Sequence, residues 1–266
     1  MGFNIIFSST GVINFAQGEF CMFGGLFAFT LAVTAHLPLV LAVILAILIT
    51  GLIGVLTERL IIHPLRHISM LVMIIATVGA SILFKAVGRI FWPLESNPLP
   101  QFTSGQVRLL GITVSRQIFW VIGLTAIAVA AVYIFYNRTR TGIAMRACSI
   151  NPQAASLMGI NVQRMAMYAF GLSALLGALA GLVNAPSTNY HIGFYLGIKG
   201  FTAAVIGGLG NIFGAVLGGI ALGLVEELVA GIISSGYRDL IAAVILITVL
   251  LVRPAGLLGK RDVVKV

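Results

Sequence analysis

Charged side chains are scarce in this sequence, and acidic ones scarcer still: it has seven Asp and Glu in 266 residues, and charge of both signs totals 9%. Soluble domains carry roughly 25% charged residues, so this composition cannot supply a water-facing coat. Lipid needs none. With 59% hydrophobic residues and a mean hydropathy of +1.10, the chain reads as an integral membrane protein. Cysteine is also rare. Cys21 lies in an apolar run and Cys148 in a basic loop, so no disulfide is expected and neither has metal-ligand spacing. No G-x-x-x-x-G-K-S/T phosphate loop occurs, and no polar segment is long enough to hold an enzyme domain. Energy therefore comes from a partner or a gradient, and no cofactor or metal is expected. The first residues lack the basic region and cleavage site of a signal peptide.

What is present is an excess of base, +9 in formal charge. The Lys and Arg fall between apolar runs, which fits topology signals and anionic headgroups better than nucleic acid. Eight runs approach the ~20 residues a helix needs to cross the bilayer: 20–35, 38–56, 68–84, 117–136, 165–184, 192–209, 212–232 and 240–252. The last crosses only with Arg238 and Arg253 snorkelling to the interfaces. The expected fold is all-α, a polytopic transmembrane bundle of about seven to eight spans with broken Gly-rich segments, one domain over 1–266. Arg59 and Arg66 fall in the 57–67 gap. Arg138, Arg140, Arg146 and Arg164 fall in 137–164, and Arg253, Lys260, Arg261 and Lys265 in the tail. The positive-inside rule places all three in the cytoplasm, and the two, then four, spans between them agree. The 85–116 loop, with Lys85, Arg89, Arg108 and Arg116, is then external; its Pro-, Ser- and Asn-rich body reads as ordered.

Three segments carry more than topology. In GVINFAQGEF, Asn14, Gln17 and Glu19 lie together between glycines, and on a helix Asn14 and Gln17 share a face. They line a pathway at membrane depth, or they form an interfacial loop with Glu19 solvated at a helix N-terminus. In 197–227, Gly210, Gly214 and Gly218 form two overlapping G-x-x-x-G steps that permit close helix approach. Gly207, Gly208 and Gly210 break the helix there, either as a tight turn or as a pathway-lining interruption. Lys199 snorkels or faces that pathway, with Glu226 and Glu227 near the same external face. In the basic loop, 146–159 reads as a short helix: Asn151 as N-cap, Pro152 at the first helical position, small Ala154 and Ala155, and Gly159 as the stop. Such a helix docks into another protein or lies on headgroups. His63 and His67 have helical metal spacing, but Pro64 intervenes and no third ligand is near. His36 and His191 fall at external ends.

At these residues the chain resembles a known family. Gln153–Gly159 looks like the EAA-x3-G loop of ABC importer permeases, with Gln for Glu. GVINFAQGEF, TRTGIAMRACSINPQAASLMGINVQR, the Gly-rich 197–226 segment and the closing VRPAGLLGK together resemble the branched-chain amino-acid permeases of the LivH-like type. The resemblance implies a non-catalytic subunit of a binding-protein-dependent importer in the bacterial inner membrane. Its implied partners are a second related permease, two cytoplasmic ATPases and a periplasmic binding protein. By that likeness 137–164 is the cytoplasmic coupling loop, with Arg146, Asn151, Pro152, Ala154, Ala155 and Gly159 meeting an ATPase. Family members usually carry a further helix ahead of the GVINFAQGEF motif, so the chain reads as N-terminally shortened. The alternatives are a same-family permease for urea or short amides and, from another class, a stand-alone secondary transporter.

Overall fold

The computed structural model describes residues 1–66, 68–93, 105–109, 112–184, 189–253 and 256–259. His67, the body of the expected external loop and Lys260, Arg261 and Lys265 lie outside the described residues. The elements are α1 (Gly2–Thr10), α2 (Gln17–Phe29), α3 (Leu39–Thr57), α4 (His63–Leu65), α5 (Met70–Phe91), β1 (Gln106–Leu109), β2 (Ile112–Ser115), α6 (Gln117–Arg138), α7 (Arg140–Ile150), α8 (Pro152–Leu157), α9 (Val162–Val183), α10 (Ile192–Gly207), α11 (Ile212–Ile232) and α12 (Arg238–Val252). Two π-helical turns, Thr30–Thr34 and Glu58–Ile62, extend α2 and join α3 to α4.

Six helical segments are long and apolar enough to cross a bilayer: Leu39–Leu65, Met70–Phe91, Gln117–Arg138, Val162–Val183, Ile212–Ile232 and Ser235–Val252. α10 is a shorter apolar helix, and α2 reaches span length only through its π turn. Each expected span therefore has a helix beneath it. Two departures are instructive. α5 runs on to Phe91, so Lys85 and Arg89 sit on a helix rather than in a loop. An antiparallel hairpin follows, pairing Gln106 with Ser115 and Arg108 with Thr113. The second departure is α1, a nine-residue helix absent from the expected spans because it is too short to cross. Its Ile5 and Ile6 are fully buried, and it packs against α9 and α7.

Association of helices in lipid gains little from the hydrophobic effect, so small residues that permit close van der Waals contact decide the packing. α9 carries them. A side chain added at Gly24 of α2 would meet Ala178, one at Gly54 of α3 would meet Ala174, and one at Gly181 would run into the Cys21 backbone. α9 is thus the axis on which α1, α2 and α3 are stacked. α5, α6 and α12 form the periphery and leave Ile82, Ile90, Ile122, Ile127 and Leu251 exposed, as lipid-facing helices do.

Lys199 is held in ion pairs between helices. Its Nζ lies 3.0 Å from Glu226 Oε2 and 3.3 Å from Asp239 Oδ1, tying α10 to α11 and α12. An ammonium at this depth is costly unless it finds an anion, and two are supplied. Arg238 likewise pairs with Glu227 at 2.8 Å.

Two stability tests follow from this packing. Gly181→Leu forces overpacking against α2 and should cost about 1–3 kcal/mol or more, whereas Gly123→Leu, which meets no atom within 4 Å, should be near neutral. Lys199→Met strands the buried Glu226 and should cost about 2 kcal/mol, below the ~3–5 kcal/mol of a fully buried pair because Lys199 keeps 29% of its side-chain surface. Arg238→Met breaks an exposed pair and should cost under ~1 kcal/mol. Thermal unfolding in detergent, comparing each pair of variants, checks both orderings.

Candidate functional site

Three basic segments that are far apart in sequence converge on one end of the bundle. Glu58 and Arg66 at the end of α3–α4, Asn137 and Arg146 at the α6–α7 junction, and Leu258 of the tail border one cavity of about 1490 Å³. α8, the first turn of α9, the α10–α11 turn, the end of α1 from Phe7 to Gly11 and Met73 of α5 also line it. The Arg66 guanidinium meets the Gln163 side-chain amide across it. The positive-inside rule makes this the cytoplasmic end, and the shared cavity agrees with the expected sidedness of all three segments.

The basic loop is held by caps. Thr139 Oγ1 accepts from the Gly142 N–H at 3.0 Å as α7 begins, and a side chain at Gly142 would strike the Phe135 carbonyl, so α6 and α7 meet at a tight corner. Arg146 Nη1 donates to Asn137 Oδ1 at 2.7 Å across that corner. Asn151 Oδ1 accepts from the Ala154 N–H at 3.0 Å, with Pro152 at the first helical position. Gly159 has φ +81°, the left-handed stop a glycine tolerates best, and Asn161 Oδ1 then accepts from the Arg164 N–H to start α9. Within 146–159 the helix begins where its expected cap puts it, at Pro152, and the extended backbone of Asn151 both caps α8 and ends α7, which carries 146–150. Ala155 packs inward while Ala154 is exposed. Ile150, Leu157 and Met158 stand 84%, 89% and 83% exposed. Three large apolar side chains projecting from a polar loop mark a surface made to be covered. Charge draws attention to the arginines of this loop; the structure adds these three exposed apolar residues. Cys148 is buried on the inner side of α7, and burial pushes its thiol above the usual range.

Asn14, Gln17 and Glu19 occupy the interior. They are 0%, 5% and 1% exposed, which removes the solvated-loop reading of Glu19. α2 begins only at Gln17, so Asn14 precedes the helix and does not share its face; Asn14 Oδ1 accepts from the Ala16 N–H at 3.1 Å. Gln17 and Ser173 of α9 satisfy one another: Nε2 donates to the Ser173 carbonyl at 3.1 Å and Oε1 accepts from Oγ at 2.6 Å. Glu19 Oε1 accepts from Ser81 Oγ of α5 at 3.0 Å. Thr77, one turn earlier on α5, accepts from the Phe15 N–H at 3.2 Å. Among the described residues, Asn14 Nδ2 and Glu19 Oε2 have no hydrogen-bond partner. The roles of Thr77, Ser81 and Ser173 were not visible in the sequence. A hydroxyl within a span ordinarily bonds its own helix, as Thr50 does to Ala46 at 2.8 Å.

Gly207, Gly208 and Gly210 form the tight turn between α10 and α11. Gly208 and Gly210 take φ +98° and +86°, and Asn211 caps α11 through the Gly214 N–H at 2.9 Å. Asn4 of α1 donates to the Gly208 and Asn211 carbonyls at 3.0 and 2.6 Å. Asn211 Nδ2 reaches the Leu258 carbonyl at 3.2 Å. The turn sits at the cytoplasmic end, and Leu209 to Ile212 line the cavity. His63 Nδ1 is 3.8 Å from Glu58 Oε1. Among the described residues no three His, Cys, Asp or Glu side chains gather as a metal site.

Residues 1–250 match the family model described as the permease component of the branched-chain amino acid transport system. The high-affinity branched-chain amino acid permease LivH of Salmonella typhimurium is 34% identical over 284 aligned positions, covering 100% of this chain and 92% of that protein. BraD of Pseudomonas aeruginosa is 33% identical with the same coverages. A probable LivH of Methanocaldococcus jannaschii is 28% identical over 97% of this chain. No solved structure matches. A family model spanning nearly the whole sequence, laid over a helical bundle with six bilayer-length helices, establishes that the chain belongs to the branched-chain amino acid permease family, as a multi-pass permease subunit of the inner membrane.

Proposed function

We propose that this permease imports branched-chain or closely related amino acids, driven by ATP hydrolysed on separate subunits. Its partners in this reading are a second related permease subunit, two cytoplasmic ATPases and a periplasmic binding protein. The observation that carries the reading is the capped α7–α8 pair with Ile150, Leu157 and Met158 bare at its tip. An apolar tip on rigid, capped helices suits a cleft in a soluble partner. The substrate follows the relatives' names.

The geometry gives this loop a route of action. Pro152 and Ser156 of α8 line the cytoplasmic cavity, so the docking helix is also a wall of the vestibule. A displacement of α8 by the ATPases reshapes the cavity directly. Arg146 braces the loop on α6 through Asn137, and buried Ala155 fixes α8 against the bundle. The ATPases drive transport only by binding the inward- and outward-open arrangements with different affinity. At about 1490 Å³ the vestibule exceeds the roughly 300–1,000 Å³ of pockets that enclose drug-sized ligands, so it admits a small amino acid without selecting it. Selection belongs to the binding protein.

Leu157→Asp combined with Met158→Asp should abolish co-purification of the ATPases and cut ATP-linked leucine uptake at least tenfold, with membrane insertion intact. Gly159→Leu, strained at φ +81° by about 1–2 kcal/mol, should lower uptake through misplacement of α8. Uptake by proteoliposomes holding the assembled importer, with and without a protonophore, reads both variants. Wild-type rates in the double variant would refute docking. Uptake that collapses with the protonophore and ignores ATP would mark a secondary transporter instead.

A further inference from the structure

Above the vestibule, α5 carries a polar stripe that neither topology nor docking explains. Met73 lines the cavity. Thr77, Ser81 and Lys85 follow at four-residue steps on the same face, while Val78 and Ile82 beside them are exposed. Thr77 bonds the Phe15 N–H and Ser81 bonds Glu19. Lys85 Nζ stands 5.9 Å from the centre of the Phe194 ring. Phe194 is next to Gly193, whose missing side chain leaves room for the Glu19 carboxylate. Glu19 and Lys85 thus flank the first turn of α10, and Ser81 lies halfway along α5. Two helices, α2 and α10, start at this level, an arrangement of helix N-termini that suits an anionic group deep in a membrane protein. Glu19 Oε2, buried and unpartnered among the described residues, is an acceptor with capacity to spare.

We infer that the substrate route passes between α5 and the 11–19 segment, with Glu19 taking the α-ammonium and Lys85 the α-carboxylate of an amino acid. The inference rests on the amino-acid reading above and deepens it: the permease grips the zwitterionic backbone shared by all α-amino acids and leaves the side chain to apolar surroundings. Ser81 is the positioning residue. Its hydrogen bond to Glu19 holds the route shut in this conformation and must break for passage.

The test uses the assembled importer with its ATPases and binding protein, in a background with Cys21 and Cys148 replaced by Ala. Thr77→Cys and Ser81→Cys should react with a small cationic thiosulfonate in a nucleotide-dependent manner, and leucine-loaded binding protein should change the rate at Ser81→Cys. Val78→Cys, facing lipid, should stay unreactive. Ser81→Cys unreactive in every nucleotide state, or no faster than Val78→Cys, overturns the route. Glu19→Gln and Lys85→Met should each lower leucine uptake at least tenfold while stimulation of ATP hydrolysis by loaded binding protein persists. Unchanged uptake in either variant overturns that residue's assignment. A wild-type importer that fails to carry leucine or isoleucine refutes the substrate reading alone, since the labelling pattern reports the route without reference to cargo.

Discussion

Close contact along α9 is the constraint on which the rest of the structure depends. Lipid offers the helices no hydrophobic reason to associate, so the bundle is held by backbones near enough for dispersion and by the few polar groups that must be satisfied inside. Gly171, Ala174, Ala178 and Gly181 bring α2 and α3 against α9. Once they are there, Ser173 can reach Gln17 from its own carbonyl and hydroxyl. The polar interior is therefore a consequence of the small residues: a larger side chain on α9 would separate the helices and strand Gln17 without a partner.

The same constraint explains what the sequence could and could not disclose. Spans were legible because hydropathy is written locally; the helix boundaries lie within a few residues of expectation except at α5, where Lys85 and Arg89 look like a loop but are carried on a helix end. Caps were legible for the same reason: the Asn151–Pro152 start and the Gly159 stop appear where side-chain chemistry requires them. Pairings across the bundle were not. Lys199 looks like a snorkelling lysine until α11 and α12 bring Glu226 and Asp239 to it. Ser81 looks like any hydroxyl in a span until α2 lays Glu19 beside it. α1, too short to register as a span, acquires its place from Asn4 bridging the α10–α11 turn.

Two features of the chain lie on one helix, α9. The first turn of α9, capped by Asn161 at the basic loop, belongs to the vestibule wall. Ser173, twelve residues later and about 18 Å up the axis at 1.5 Å per residue, holds Gln17 at the head of α2. No proline or π turn interrupts α9 between them, so the loop and the α2 contact are carried on one continuous helical rod, and α2 carries Glu19.

A rod alone does not make a switch; an element with two arrangements is needed. Residues 11–16 supply a candidate, a non-helical stretch that connects two buried helices, α1 and α2. Gly11 sits at φ +70°, and the segment is tied to α5 through Phe15 and Thr77, a bond between elements that pack on different neighbours. α1 and α2 both pack on α9, and α1 is tied as well to the α10–α11 turn through Asn4; residues 11–16 join the two helices next to the Glu19–Ser81 contact. The unpartnered Asn14 amide lies in this segment, and a buried donor without an acceptor costs free energy in the arrangement that holds it so.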